Sequence, residues 1–183
     1  LFDYLKSSFE INTINKISLQ TIPKGSFIYQ AGQKTTHMYE IVKGAVKLGT
    51  YNDNGEDTTY DVLAKKEFFG NLKYLNGGFF EFSKTLLDSE IRYYDLTFFK
   101  KIINHDAIIS DWFHYYLVKR WCEAEEKLVN VNHKDIKAKI DFLKDKYRYN
   151  VEDSNKFSYN LYDLLSKKDL GDLIGVTRQT IAK

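Results

Sequence analysis

The feature that most restricts what this chain can fold into is a change of hydrophobic period near Asp106. Before it, across residues 17–95, short apolar or alternating runs are broken by turn-forming clusters: Pro23-Lys24-Gly25, Ala31-Gly32, Lys43-Gly44, Asp53-Asn54-Gly55 and Asn76-Gly77-Gly78. Runs of this length between Gly, Pro, Asn and Asp read as strands. Residues 38–42 and 45–48 are two such runs with Gly44 between them. Asn54-Gly55 ahead of residues 58–63 is a hairpin signal, because both residues tolerate positive φ. Many short strands at this spacing predict a closed β-roll or a sandwich. After Asp106 the period becomes helical: Ile109, Trp112, Phe113, Tyr116, Leu117, Trp121, Ala124 and Leu128 recur at three- and four-residue steps with no Gly or Pro between them. This stripe is longer than a small roll needs over one face. It can pack on its own domain or on a second copy of itself. Beyond Lys134, the residues Ile136, Ile140, Phe142 and Leu143 suit an amphipathic helix, and polar residues 149–160 read as a loop.

Composition excludes several classes. With 16% aromatic residues the chain is too rich in core formers to be disordered. It contains no apolar run of membrane-spanning length. Leu1-Phe2-Asp3-Tyr4 is not a secretory signal, and an opening Leu is read as lying after the native start. Cys122 is the only cysteine, which forbids an internal disulfide and a four-thiolate iron–sulfur cluster and suits a cytoplasmic protein. His37 is the only histidine in the strand region, so a metal-dependent β-roll enzyme lacks its ligands. The remaining histidines, His105, His114 and His133, show no ligand spacing and read, with His37, as surface or capping residues. No nucleophile elbow, phosphate loop or dinucleotide fingerprint is present. Catalytic residues, metal ligands and cofactors are therefore not assigned, and an enzyme is not expected. The net charge of +2 lies wholly within residues 135–183, which carry 10 basic and 8 acidic side chains. A DNA-binding end needs such an excess to displace counterions from phosphates.

The stretch 166–183 carries most of the functional reading. Ser166 can cap a helix, with Asp169 three residues on as in a capping box. Leu170, Leu173 and Ile174 form an apolar face, Gly171 permits close approach of a neighbouring helix, and Gly175 is placed to end the helix in a left-handed conformation. Val176 can tuck into the core, Thr177 can cap a second helix, and Ile181 can bury one side of it. Two short helices around a tight Gly turn form a helix-turn-helix. In that motif the start of the second helix meets base edges in the major groove. Arg178 can pair with guanine and Gln179 with adenine. Lys183 lies one turn on, and Thr177 and Thr180 suit phosphate contacts. Lys168 is grouped with these as a DNA-binding residue.

The chain resembles the cyclic-AMP receptor protein and fumarate–nitrate reductase regulator (Crp/Fnr) family. The resemblance rests on residues 23–32, residues 38–46, Phe68-Phe69-Gly70-Asn71-Leu72 and the terminal motif, in that order. It implies an α+β chain: an N-terminal cyclic-nucleotide-binding-like β-roll (a double-stranded jelly roll), a long dimerisation helix and a C-terminal winged helix-turn-helix. The corresponding divisions are a sensor at 1–105, a linker and dimerisation helix at 106–133, and a DNA-binding unit at 134–183. Because the sequence closes at Lys183, inside the expected recognition helix, that unit reads as truncated. The partners implied are double-stranded DNA, a second copy, RNA polymerase and a small-molecule effector, with no membrane.

The family's ligand pattern is degenerate here. In cyclic-AMP-binding members a Gly-Glu-Leu and a later Arg-Ser grip the sugar-phosphate. The matching residues are Gly70-Asn71-Leu72 and Phe82-Ser83, and both charged groups are missing. A Thr-Ser pair that meets the base from the long helix falls at Ala124-Glu125. Without its Arg, a cyclic phosphate loses a strong charge-assisted bond, so an effector other than cyclic AMP, or none, is expected. Phe68, Phe69, Tyr74, Phe79, Phe80 and Phe82 crowd the region, which either fills itself or takes an uncharged, flat ligand. The alternative function is a sensor or interaction module that does not bind DNA.

Overall fold

The structure is a computed structural model and describes residues 1–8, 15–34, 36–72 and 79–182. The expected turn at 76–78, Tyr74 and Lys183 lie outside the described residues. The N-terminal strands are β1 (Ile17–Ile22), β2 (Phe27–Tyr29), β3 (His37–Lys43), β4 (Ala45–Tyr51), β5 (Asp57–Ala64), β6 (Phe68–Phe69), β7 (Phe82–Thr85) and β8 (Ser89–Asp95). They form two four-stranded sheets ordered β1-β8-β3-β6 and β2-β7-β4-β5. Tyr39, Ile41 and Ile91 from one sheet pack with Tyr29, Val46, Leu48 and Leu63 from the other. The roll's core is therefore the space between two sheets, as the alternating runs require. The Asn54-Gly55 signal lies in the β4–β5 connection, where Gly55 has φ 77°.

Two helices frame the roll that the sequence reading did not contain: α1 (Phe2–Ser8) and α2 (Leu96–His105). Asp95 ends β8 and starts α2 at once, its carboxylate accepting the Phe98 N–H at 2.9 Å. The long helix α3 (Ala107–Val131) starts on the Asp106 carboxylate, which accepts the N–H groups of Ile108 and Ile109, both at 3.0 Å. Its stripe divides in two. Ile109 and Phe113 are buried on the roll, with Trp112 and Tyr116 half-buried beside them. Leu117, Val118, Trp121, Leu128 and Val129 are exposed, Val129 by 73%.

After α3 come α4 (Ile136–Tyr147), β9 (Asn150–Glu152), β10 (Ser158–Asn160), a 3-10 turn (Tyr162–Leu164), α5 (Lys167–Ile174) and α6 (Arg178–Ile181). The loop expected at 149–160 is instead a two-stranded antiparallel hairpin. Its turn is held by the Asp153 side chain, which accepts N–H bonds from Asn155 and Phe157, at 2.8 and 2.9 Å. Only Val151 of these six strand residues is buried, so the hairpin leaves no alternating apolar trace in the sequence. The C-terminal helices do not stand apart from the roll. Leu143, Tyr147, Leu161, Leu165, Leu170, Leu173 and Ile174 share one core with Ala45, Val62, Leu86 and Leu87.

Candidate functional site

The helix pair at the C-terminus is built by local caps. Ser166 and Asp169 form the expected reciprocal capping box at the start of α5. Gly175 ends that helix in the left-handed region (φ 68°), where a side chain is strained. Gly171 faces the turn so closely that a Cβ there would sit 2.7 Å from the Val176 carbonyl oxygen. Thr177 caps α6, its hydroxyl accepting the Thr180 N–H at 3.3 Å. Ile181 packs on the C-terminal core, while Thr177, Arg178 and Gln179 are exposed and Thr180 is half-buried. Arg178 makes no ion pair among the described residues.

Lys168 differs from these. Its ammonium donates to the Asp57 carbonyl, lies 3.4 Å from the Asp57 carboxylate and bonds Asp172 at 2.8 Å. It is one part of a polar seam between α5 and the β4–β5 edge. There Lys47 bonds Asp169 at 2.6 Å, the Thr59 hydroxyl bonds Asp169 at 2.7 Å, and the Thr59 N–H donates to Asp172 at 3.0 Å. Burial alone would raise the Asp169 carboxyl; the bonds from Lys47, Ser166 and Thr59 outweigh it and hold it below the usual range.

The second candidate region lies between the roll and the first half of α3. Phe69, Gly70, Asn71 and Leu72 line a cavity of about 260 Å³, joined by Glu81, Tyr116 and Arg120. Phe82 is fully buried but stands off the cavity wall, edge-on to Phe27 with ring centroids 5.7 Å apart. Ser83 is also buried, and its hydroxyl has no hydrogen-bond partner among the described residues. Ala124 and Glu125 are exposed farther along α3 and do not line the cavity; Glu125 accepts the Trp121 indole N–H at 2.6 Å. Of the crowded aromatics, Phe68 and Phe69 are buried, Phe79 is half-buried against Tyr29, and Phe80 is exposed.

Two polar residues of this cavity escaped the sequence reading. Glu81 accepts hydrogen bonds from the Tyr29 and Tyr60 hydroxyls. Burial pushes its carboxyl above the usual range, and the two tyrosine bonds only partly offset this. Arg120 is held by Asp61 at 2.5 Å, and Lys127 bonds the other oxygen of the same carboxylate. Burial alone would raise the Asp61 carboxyl; the charges of Lys127 and Arg120 outweigh it and lower it. Glu81 could have been singled out as the one acidic residue inside an aromatic run, Phe79-Phe80-Glu81-Phe82. Arg120 had no local signal, because its partner lies 59 positions away.

Residues 19–106 match the cyclic nucleotide-binding domain family. Over 172 residues the chain is 23% identical to the global nitrogen regulator of Synechococcus elongatus, covering 91% of this chain and 77% of that protein. It is 20% identical to the cAMP-activated global transcriptional regulator CRP of Haemophilus influenzae, covering 90% of this chain and 74% of that protein. Among solved structures it is similar to a protein of the crp/fnr family from Eubacterium rectale, with TM-score 0.71, 12% identity and coverage of 97% and 82%. The N-terminal part of this chain is a cyclic nucleotide-binding domain. Over nine-tenths of its length the chain is similar in sequence to these regulators, and it shares the fold of the crp/fnr protein.

Proposed function

We propose that this chain acts in the cytoplasm as a dimeric, DNA-binding transcription regulator. Residues 1–105 are its sensor, 106–133 its dimerisation helix and 134–183 its DNA-binding unit. The observation that carries this reading is the start of α6. Thr177 caps the helix with its own hydroxyl, and Arg178 and Gln179 stand exposed beside it. Uncommitted Arg and Gln at the N-terminal end of a second helix are what base-edge pairing in a major groove requires. Thr177 and Thr180 fit phosphate contacts, and Lys183, outside the described residues, is kept as a DNA-binding residue on its sequence position alone. Lys168 joins them only when its bonds to Asp57 and Asp172 open.

The exposed apolar half of α3 supports a second copy as partner, since Leu117, Val118, Trp121, Leu128 and Val129 follow one another along a helix with little else to cover them. A dimer would present two α6 helices to a near-palindromic site. The roll cavity supports a small-molecule effector that is not a cyclic phosphate. Its buried acidic group, Glu81, would repel a phosphate, and its one guanidinium, Arg120, is already held by Asp61. Contact with RNA polymerase follows from the family logic of such regulators.

Fluorescence anisotropy with labelled duplex DNA at two salt concentrations tests the reading. Binding that weakens steeply with salt is expected. No binding at low salt would leave the sensor or interaction module as the better account.

A further inference from the structure

A cavity of about 550 Å³, roughly twice the volume of the roll cavity, lies where the roll, the long helix and the β9–β10 hairpin meet. It shares no lining residue with the roll cavity. Its size falls in the range of small-molecule sites. Four lysines line it: Lys43 at the end of β3, Lys65 and Lys66 in the β5–β6 turn, and Lys119 on α3. Lys43 is paired with Glu90 at 2.6 Å, and Lys119 lies 3.4 Å from Glu123 and 4.0 Å from Glu67. Lys65 and Lys66 are exposed and make no ion pair among the described residues. The carboxylates on the same wall are Glu67 and Glu152, so the cations open to a ligand at the mouth are Lys65 and Lys66.

Two further features mark this as more than a solvated patch. Lys66 has a positive φ of 74°, a region that favours Gly, and the turn holds it there with its N–H on the Ile41 carbonyl at 2.8 Å. A second cavity of about 290 Å³ shares Glu67, Lys119 and Tyr149 with the first and reaches Tyr147. Tyr147 is 2% exposed, and its hydroxyl has no hydrogen-bond partner among the described residues. A buried hydroxyl left unpaired is costly, and a ligand atom in this cavity would satisfy it. The other charges there are paired: Asp61 is bonded by Arg120 and Lys127, Glu123 lies 3.4 Å from both Lys119 and Arg120, and Glu126 lies 3.5 Å from Lys146.

We propose that this junction is a second ligand site, for a small phosphorylated molecule carrying at least two negative charges. Its phosphate would lie between Lys65 and Lys66, and a polar atom of its body would meet the Tyr147 hydroxyl. Phosphate is favoured over carboxylate because ammonium groups bind it as point charges and a single phosphate group concentrates up to about two negative charges, against one for a carboxylate. A molecule seated there would touch the roll, α3 and β9 together, and so would favour the arrangement in which all three meet.

Calorimetry on the full chain with inorganic pyrophosphate as probe tests this. One saturable site is expected, weakened at least about tenfold in Lys65→Ala/Lys66→Ala, as loss of a charge-assisted bond implies. Lys65→Arg/Lys66→Arg should retain binding, and Lys16→Ala, at an exposed lysine that lines neither cavity, should leave it unchanged. Citrate should bind at least about tenfold more weakly. No saturable heat, equal binding by the double Ala variant, or citrate binding as tightly as pyrophosphate would each overturn the proposal. If the double Ala variant instead loses affinity for non-specific duplex DNA, the lysines serve a nucleic-acid backbone and the small-molecule site is refuted. Both lysines are exposed, so the variant should keep its thermal midpoint, checked by circular dichroism.

Discussion

The wall of the roll cavity and the first turn of α6 treat their polar side chains in opposite ways. Around the cavity nearly every polar group is committed within the chain: Glu81 to Tyr29 and Tyr60, Arg120 to Asp61, Tyr116 to the Phe68 backbone. At the start of α6 Thr177 and Thr180 bond each other, and Arg178 and Gln179 are exposed without side-chain partners among the described residues. Internal commitment stabilises a fold and leaves little for a ligand to gain. Exposed and unpaired groups add little to the fold and are available to a second molecule. The contrast predicts that substitutions in the first region act on stability and those in the second act on binding.

The largest effect is expected at Asp61. Asp61→Ala removes a buried carboxylate from between Arg120 and Lys127 and leaves two cations facing each other, a loss of about 3–5 kcal/mol in urea denaturation. A loss below about 1 kcal/mol, the scale of an exposed pair, would mean that the network is solvated and the contrast is wrong. Next comes Arg178→Ala. It should move stability by no more than about 0.5 kcal/mol while weakening specific DNA binding by about 1–3 kcal/mol. A stability loss larger than the binding loss would reverse the assignment.

The two buried carboxyls should also give opposite pH dependences. The Asp61 carboxyl is lowered in the folded chain, so its contribution is present above the unfolded value of about 3.9 and is lost as pH falls through the folded value. The Glu81 carboxyl is raised, so its contribution is full below about 4.3 and is lost as pH rises through the folded value. Glu81→Gln should therefore flatten the stability profile above pH ~4.3 by up to about 1.4 kcal/mol per pH unit. Denaturation midpoints from pH 4 to 8 that run parallel in the wild type and the variant would contradict this. The smallest effect is at Ser83, the exception to internal commitment. Ser83→Ala deletes a buried hydroxyl that bonds nothing, so stability should change by less than about 1 kcal/mol, in the direction of a gain. A clear loss by thermal denaturation would reveal a partner for that hydroxyl.

What the sequence disclosed, and what it withheld, follows the same division between local and distant interactions. The two capped C-terminal helices were legible because their determinants are neighbours: Ser166 with Asp169, Gly175 at the helix end, Thr177 with Thr180. The roll was legible through its turns, and α3 through its period. The fate of α3's stripe was not legible, because nothing local distinguishes Phe113, buried on the roll, from Trp121, 67% exposed. The hairpin at 150–160 was missed because its strands carry one buried side chain and owe their turn to Asp153. In the cavity, the match of Phe82-Ser83 to the family's phosphate grip was a reading along the chain. Packing sets Phe82 off the wall and lines it with the neighbouring Glu81 instead. A one-residue shift along a strand moves a side chain to the other face of the sheet.

The account depends most on Arg178 and Gln179 reading DNA. Selection of binding sites from random duplexes, with the wild type and with Arg178→Ala, tests this directly. The account predicts near-palindromic sites for the wild type and loss of preference at one base per half-site in the variant. Identical preferences in the two proteins, or no selected site at all, would contradict it.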